Sequence, residues 1–387
     1  MTTPTATRPS PLDDELLIRC LERAPQYDRD SRFAEEDFNE LKAAGYLSLP
    51  LPEEFGGAAF TLADIVREQR RLAYFAGPTA EAVATHLAWT GMAADRWRRG
   101  DRSLRWILEE AADGGVFTAG HAEAGHDIPL TSSTTQAHPV QGGYRFTGHK
   151  SFGTLGPVWS YMGLHGLDES DPSDPKIVHA FLPRNTEGVT RRETTDGWGM
   201  RTTRRDETLL DAAFVPDRYV ARVVPAGTHG HDSFVVTLMA WQLLCAAAVS
   251  VGMARRALDI TVETLRKTAH PSTRRAVAHH AGAQQRVADM GLDLEGIEPH
   301  LDQIAAHWTE GIPHGHRWPM KLLAAKYHAV EGAWRVIDTA LELAGGLGMT
   351  RRTGLEQLFR DTRLGRVHPG NALYVREMVG RTLLGVD

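Results

Sequence analysis

Histidine is the residue type through which this chain could most readily move protons, because an imidazole changes charge near neutral pH. Eighteen occur. His121 and His126 share one stretch, His279 and His280 are adjacent, and His86 stands in the apolar run 82–92. His368 lies in Arg366-Val367-His368-Pro369-Gly370-Asn371. None is spaced as His-x-x-x-His, so helical metal ligation is not expected and no metal is assigned. Arg366 should depress the pKa of His368 and keep its imidazole neutral. For His86, a core histidine satisfied by its neighbours is the plainer reading. The two cysteines, Cys20 and Cys245, are far apart, with no CxxC pair. Cys245 sits in Leu243-Leu244-Cys245-Ala246-Ala247-Ala248, where a buried thiol is expected rather than a nucleophile. Gly345-Gly346-Leu347-Gly348 closes a helical stretch, and taken alone it reads as a helix cap.

The bulk properties narrow the partners. A chain of 387 residues with 42% hydrophobic and 24% charged residues has the composition of an ordinary globular protein with a large core. A net charge of −6 argues against nucleic acid. The pairs Arg98-Arg99 and Arg204-Arg205 read as solvated faces. Residues 1–10, MTTPTATRPS, read as a disordered tail and not a signal peptide. No membrane span is expected, and a reducing, cytoplasmic setting fits the cysteine usage.

Three regions must position these residues. From 11 to 115 the apolar spacing is helical, as at Leu12, Leu16, Leu17, Cys20 and Leu21. Helices are expected around 61–76 and 82–92, separated by the Gly77-Pro78 break. From 116 to 228 short runs such as Tyr144-Arg145-Phe146-Thr147 and Thr208-Leu209-Leu210 alternate with turns, which predicts an antiparallel β domain. From 229 to 387 long helices return, around 234–266, 276–308 and 319–345.

Several segments in this order resemble the acyl-CoA dehydrogenase superfamily. They are Leu51-Pro52-Glu53-Glu54-Phe55-Gly56-Gly57, Tyr144-Arg145-Phe146-Thr147-Gly148-His149-Lys150, Trp198-Gly199-Met200-Arg201, Phe214-Val215-Pro216 and Phe359-Arg360-Asp361-Thr362-Arg363. The resemblance implies an α+β acyl-CoA dehydrogenase fold: a helical domain, a middle β domain and a C-terminal four-helix bundle. It also implies FAD as cofactor. Phe117, Ala119 and Gly120 then fall on the loop whose backbone binds the flavin, and His126 takes the place of a substrate-holding serine. Phe152 would pack against the isoalloxazine and Thr154 would reach its N5 edge. Gly345, Gly346 and Gly348 would approach the dinucleotide from a neighbouring subunit, and Asn371 would also contact the cofactor. A homodimer or homotetramer is implied.

The pattern breaks where the family keeps its base. The usual glutamate before a Gly-Thr pair is Pro369 here, and the alternative Glu-Arg pair on the long helix is Gln242-Leu243, with Gln242 left as a substrate contact. Neither proline nor glutamine accepts a proton at physiological pH. An Arg-x-x-Phe-Gly segment that touches FAD across the dimer corresponds to about 270–275. His368 adjoins the vacated position in a string that resembles flavin-dependent monooxygenases of the same fold. His86 is the second candidate, on the wall where related oxygenases place a histidine. Three functions stay open. The first is a non-standard dehydrogenase or desaturase acting on a CoA or carrier-protein thioester or a biosynthetic acid, with hydride passing to flavin N5. The second is a flavin monooxygenase using a C4a-hydroperoxide, with an electron-transfer or flavin-reductase partner. The third is a catalytically silent flavin- or ligand-binding protein.

Overall fold

The structure, a computed structural model, describes residues 8–123, 130–194, 196–227, 232–269 and 274–386. The chain begins with α1 (Asp14–Asp30), whose first turn is capped by the Asp13 carboxylate accepting from the Leu16 amide. The short α2 (Glu35–Ala43) and the long α3 (Leu62–Arg98) follow. Thr61 and Asp64 form a reciprocal capping box at the start of α3. The two helices expected around 61–76 and 82–92 are one element with a kink, at Ala76 (φ −145°, ψ 76°). Pro78 removes a backbone donor and constrains the preceding turn, which bends the helix without ending it. Gly77 lets Met253 pack closely, since a Cβ there would lie 2.5 Å from Met253 Sδ and push that side chain aside. α4 (Arg105–Ala112) leads into the sheet.

The strands are β1 (Phe117–Gly120), β2 (Gln136–Val140), β3 (Gly143–Gly153), β4 (Tyr161–Asp168), β5 (Lys176–Pro183), β6 (Val189–Arg192), β7 (Asp206–Pro216) and β8 (Val220–Pro225). They form one sheet in the order β6-β7-β3-β2-β4-β5-β8, with β1 added beside β4. The antiparallel expectation is corrected here, because β1 and β2 both pair with β4 in parallel. The chain leaves β1, runs through the β2–β3 hairpin and only then enters β4, so β1 and β4 point the same way.

The C-terminal region contains α5 (Ser233–Lys267), α6 (Ala281–Thr309), α7 (Trp318–Ala344), α8 (Leu355–Val367) and α9 (Ala372–Leu384). α5 is the central element and packs along both α3 and α7. An 18-residue window of α5 has a mean hydropathy of 2.0, against the expectation that no stretch is apolar enough to span a membrane. Of that window 83% is buried in the protein, as befits the central helix of a core. Cys245 lies on it, wholly buried, and burial pushes its thiol up. Asp95 of α3 ties the bundle together. Its Oδ2 accepts from the indoles of Trp241 on α5 (3.0 Å) and Trp308 on α6 (2.7 Å), so both buried N–H groups are satisfied.

Two segments that carried the family resemblance meet in space. The Met200 amide donates to the Asp361 carboxylate of α8, and Arg360 bonds both Asp28 of α1 (2.7 Å) and the Trp198 carbonyl (3.1 Å). A Cβ on Gly199 would stand 2.2 Å from the Arg360 carbonyl oxygen, which only glycine permits. These motif residues join three regions of the chain.

Candidate active site

A cavity of about 470 Å³ opens between α3, α5, the sheet and the α8–α9 turn, within the range of small-molecule and cofactor sites. Helical periodicity explains two of its walls. α3 presents Glu81, Ala84, Thr85 and Ala88, and α5 presents Met239, Gln242, Leu243 and Ala246, each set spaced i, i+3, i+4, i+7. The sheet supplies Ala119 and Phe152, Thr154 follows directly after β3, and the α8–α9 turn brings His368 through Asn371.

The sheet side holds its groups firmly. Thr154 Oγ1 lies 3.0 Å from Thr85 Oγ1, and Thr118 Oγ1 donates to the Thr154 carbonyl at 2.7 Å. Phe152 has φ +59° and is 61% exposed. A non-glycine residue in that region is strained, and here the strain holds an aromatic ring out at the cavity wall. Gln242 Nε2 lies 3.2 Å from His121 Nδ1. The amide N–H is the donor, so His121 carries its proton on Nε2, which has no partner among the described residues. Burial, with His179 and Lys150 nearby, holds His121 well below the usual imidazole range.

At the other end stand Glu81, Arg205 and His368. Glu81 is 7% exposed, and burial raises its pKa against the pull of Arg205 and Lys326. Burial lowers the Arg205 pKa against Glu81 and Asp361, and its Nη2 is buried without a hydrogen-bond partner among the described residues. His368 caps the C-terminus of α8, and its amide donates to the Leu364 carbonyl at 2.8 Å.

That amide bond fixes where the helix stops and the turn to α9 begins. His368 Nδ1 lies 3.3 Å from the Pro369 carbonyl and must donate to it, which leaves Nε2 as the acceptor nitrogen. Burial, together with the Lys326 and Arg205 cations, pushes its pKa down to about 3, so the ring is neutral at pH 7. Lys326 holds the turn from beneath, donating to the carbonyls of Gly365 (2.8 Å) and Gly370 (3.0 Å). Arg366 does not supply the expected effect on His368, because it pairs with Glu331 at 2.9 Å and lies over Trp334.

The sequence comparisons agree with this architecture. Residues 17–97 match the family description "Acyl-CoA dehydrogenase, N-terminal domain", and residues 230–384 match "Acyl-CoA dehydrogenase, C-terminal domain". The chain belongs to the acyl-CoA dehydrogenase superfamily. Its members are flavin-dependent oxidoreductases. It is 25% identical to the putative acyl-CoA dehydrogenase YdbM of Bacillus subtilis (strain 168), over 89% of this chain and 88% of that one. It is 24% identical to dibenzothiophene monooxygenase of Mycolicibacterium goodii, over 92% and 88%. Among solved structures, KijD3 in complex with FMN and a dTDP-linked amino sugar superposes with a TM-score of 0.84 at 22% identity, covering 96% of this chain and 92% of that one.

In this superfamily member the expected site residues are only partly brought together. Ala119, Phe152, Thr154, Gln242, His368 and Asn371 line the one cavity. Asn371 also caps α9, accepting from the amides of Leu373 (3.0 Å) and Tyr374 (3.1 Å). His86 does not join them. Its Nε2 bonds the Leu47 carbonyl and its Nδ1 accepts from the Phe117 amide, both at 3.1 Å, so it is a core histidine with both nitrogens in use. The Phe117 ring stacks on Tyr161 inside the aromatic core, away from the cavity lining. Gly120 packs against Met162 and Lys150 instead. Gly345 and Gly346 lie exposed in open space, and Gly348 is buried against Leu341 and Ala344. His126 lies outside the described residues, as do residues 270–273 of the expected FAD-touching segment. Among the described residues no group of metal-ligating side chains occurs.

Two important residues escaped the sequence reading. Arg204-Arg205 is not a solvated pair: Arg204 binds Glu193 at 2.8 Å and Arg205 faces the cavity. Glu81 had a visible signal, as the one acidic residue in the run from Gly77 to Met92.

Proposed function

We propose that this protein is a flavin-dependent monooxygenase acting on a small organic substrate in the cavity between Phe152 and His368. The observation that carries the reading is His368 itself. It stands beside the family's vacated base position, half-buried and neutral, on a wall that is otherwise largely apolar. Removal of an α-proton from an acyl thioester needs a base that keeps the proton. An imidazole whose pKa lies near 3 gives that proton back at once. As a neutral group it can still accept a hydrogen bond and position a substrate or cofactor donor.

The residues present fit a flavin. Phe152 offers a ring face, Thr154 offers a hydroxyl at the same wall, and the backbone at Ala119 lies beside them. The exposed backbone at Gly345 and Gly346 suits the dinucleotide tail of FAD from a neighbouring subunit in a homo-oligomer. When bound, the flavin supplies two-electron redox chemistry and, once reduced, reactivity towards dioxygen. The chain's own part is to exclude water with Ala84, Ala88, Met239 and Leu243, and to hold the substrate's polar groups with Gln242 and His368. The relative named for dibenzothiophene oxygenation supports this reading, and YdbM keeps dehydrogenation in view. Dehydrogenation has one observation in its favour, the carboxyl of Glu81, which is unbonded among the described residues and whose raised pKa suits a base.

The test is stopped-flow absorbance. The FAD-loaded protein is reduced with dithionite and mixed with aerated buffer. A long-lived band at shorter wavelength than that of oxidised flavin is expected. Direct reoxidation without it, together with substrate-driven flavin reduction by an acyl thioester, would instead establish the dehydrogenase. His368→Ala should keep its flavin content and lose turnover by about 10²–10⁴-fold.

A further inference from the structure

The inner end of the cavity contains an acid and a base that face the same space without touching. Glu81 makes no hydrogen bond and no ion pair among the described residues, although it is 7% exposed. Arg205 lines the same cavity and likewise makes no hydrogen bond or ion pair among the described residues, with its Nη2 wholly buried. Each acts on the other's charge, yet no salt bridge closes between them. Leaving either group unsatisfied costs free energy that a native protein ordinarily avoids, so the pair implies a ligand group that completes both.

The space the two share is the main cavity, which both line. A separate recess of about 10 Å³, bordered by Glu81, Ser250 and His368 but not by Arg205, has room for about one water. Its remaining walls are mostly apolar, with Met200, Ala246, Val249 and Met253. Around the pair, Lys326 is occupied with backbone carbonyls and Asp361 accepts from the Met200 amide. His368 Nδ1 is engaged by Pro369. His368 Nε2 stays open as an acceptor and Asp361 Oδ2 is unpartnered among the described residues, but Glu81 and Arg205 are the charged pair that lines the cavity at this end without a bond of its own.

We infer that Glu81 and Arg205 form a subsite for a substrate group that donates one hydrogen bond and accepts another, a hydroxyl being the simplest. The inference rests on the oxidoreductase reading of the same cavity and narrows its substrate to hydroxylated small molecules, as against hydrocarbon acyl chains. A hydroxyl donates a hydrogen bond to the Glu81 carboxylate and accepts one from the Arg205 guanidinium where it lines the cavity. A methylene in the same place would leave both charges bare. This discrimination is the strong kind, because the site's own polar groups are left unpaired by the wrong ligand.

The experiment compares two probes of nearly equal shape, lactamide and isobutyramide, which differ by a hydroxyl in place of a methyl. Binding to the full-length protein is followed by ligand-observed saturation-transfer NMR, with and without added FAD. Lactamide should bind about tenfold or more tightly than isobutyramide, as one well-made buried hydrogen-bond pair requires. Glu81→Leu and Arg205→Met should each bring the two probes to parity. If either variant fails to fold, Glu81→Gln, which keeps the side chain's volume, should still reduce the preference at least threefold or so. Equal binding, no response to lactamide, or a preference that survives the substitutions overturns the subsite. A protein that stays colourless with FAD overturns the flavin reading alone, since the two-probe comparison remains readable without cofactor.

Discussion

Two buried glutamates border the same cavity and are treated in opposite ways. Glu123, 4% exposed on the sheet side, accepts from the hydroxyls of Ser133 (2.6 Å), Thr134 (2.6 Å) and Thr135 (2.9 Å) and from the Thr134 amide (2.6 Å), and it contacts the Lys150 ammonium. Burial alone would raise its pKa, but Lys150 and the hydroxyls outweigh burial and bring it to about 2. Glu81 has none of these partners, and burial wins. A carboxylate with every lone pair used is part of the frame; one left bare beside a cavity is available to a ligand.

Breaking the frame should have the largest effect. Glu123→Ala strands Lys150, which is 1% exposed and has the His165 carbonyl as its other partner at 2.7 Å. Removing one member of a buried ion pair costs about 3–5 kcal/mol, so the urea midpoint should fall sharply. A shift below about 1 kcal/mol would erase the contrast with Glu81. The sign with pH also follows. The folded pKa of Glu123 lies below the ordinary carboxylate value, so its contribution is present above that value and is lost as pH falls through about 2. The stability gap between wild type and Glu123→Gln should therefore hold at neutral pH and narrow only in strong acid.

A smaller effect separates the two histidines named by the sequence. His86 joins the Leu47 carbonyl to the Phe117 amide, whereas His368 stands on the cavity wall. His86→Ala should lower stability by about 1–3 kcal/mol, through two stranded backbone groups, and leave flavin affinity of the folded fraction unchanged. Loss of flavin affinity without loss of stability would return His86 to the site. Thermal melts and flavin titration on the same samples decide between them.

The same contrast shows what the sequence makes legible. Helices and strands declare themselves through periodicity, and the ordered motifs imply the fold because residues such as Gly199, Met200 and Asp361 must meet to join the three regions. Cavity-facing positions such as Phe152, Thr154 and His368 follow from the same motifs. The parallel placement of β1 beside β4 is non-local and leaves no local pattern. Arg205 and Glu81 were missed for a related reason. One reads as surface because arginine pairs usually are, and the other is a single acid in an apolar helix. Only the kink at Ala76 and the turn after Met200 turn both towards one space. His86 shows the reverse case: a suggestive residue type on the right helix whose plainer reading, a core histidine, is the one the structure supports, because it faces backbone groups that consume it.

The smallest effect is the most specific to Glu81. Its folded pKa is raised above the ordinary carboxylate value by burial, so whatever stability it contributes is present below that value and is lost as pH rises through the folded pKa. Glutamine at this position does not ionise. Glu81→Gln should then match wild type in acid and become more stable than wild type as pH rises past the carboxylate range, by about 1.4 kcal/mol for each tenfold by which burial strengthens proton binding. This is the opposite trend from Glu123→Gln, in which the variant is the weaker protein throughout the neutral range. Chemical denaturation from pH 4 to pH 8 reads both. A Glu81→Gln variant that loses stability at pH 8 would mean that the carboxylate has a partner in the folded protein after all, and the two glutamates would then be alike.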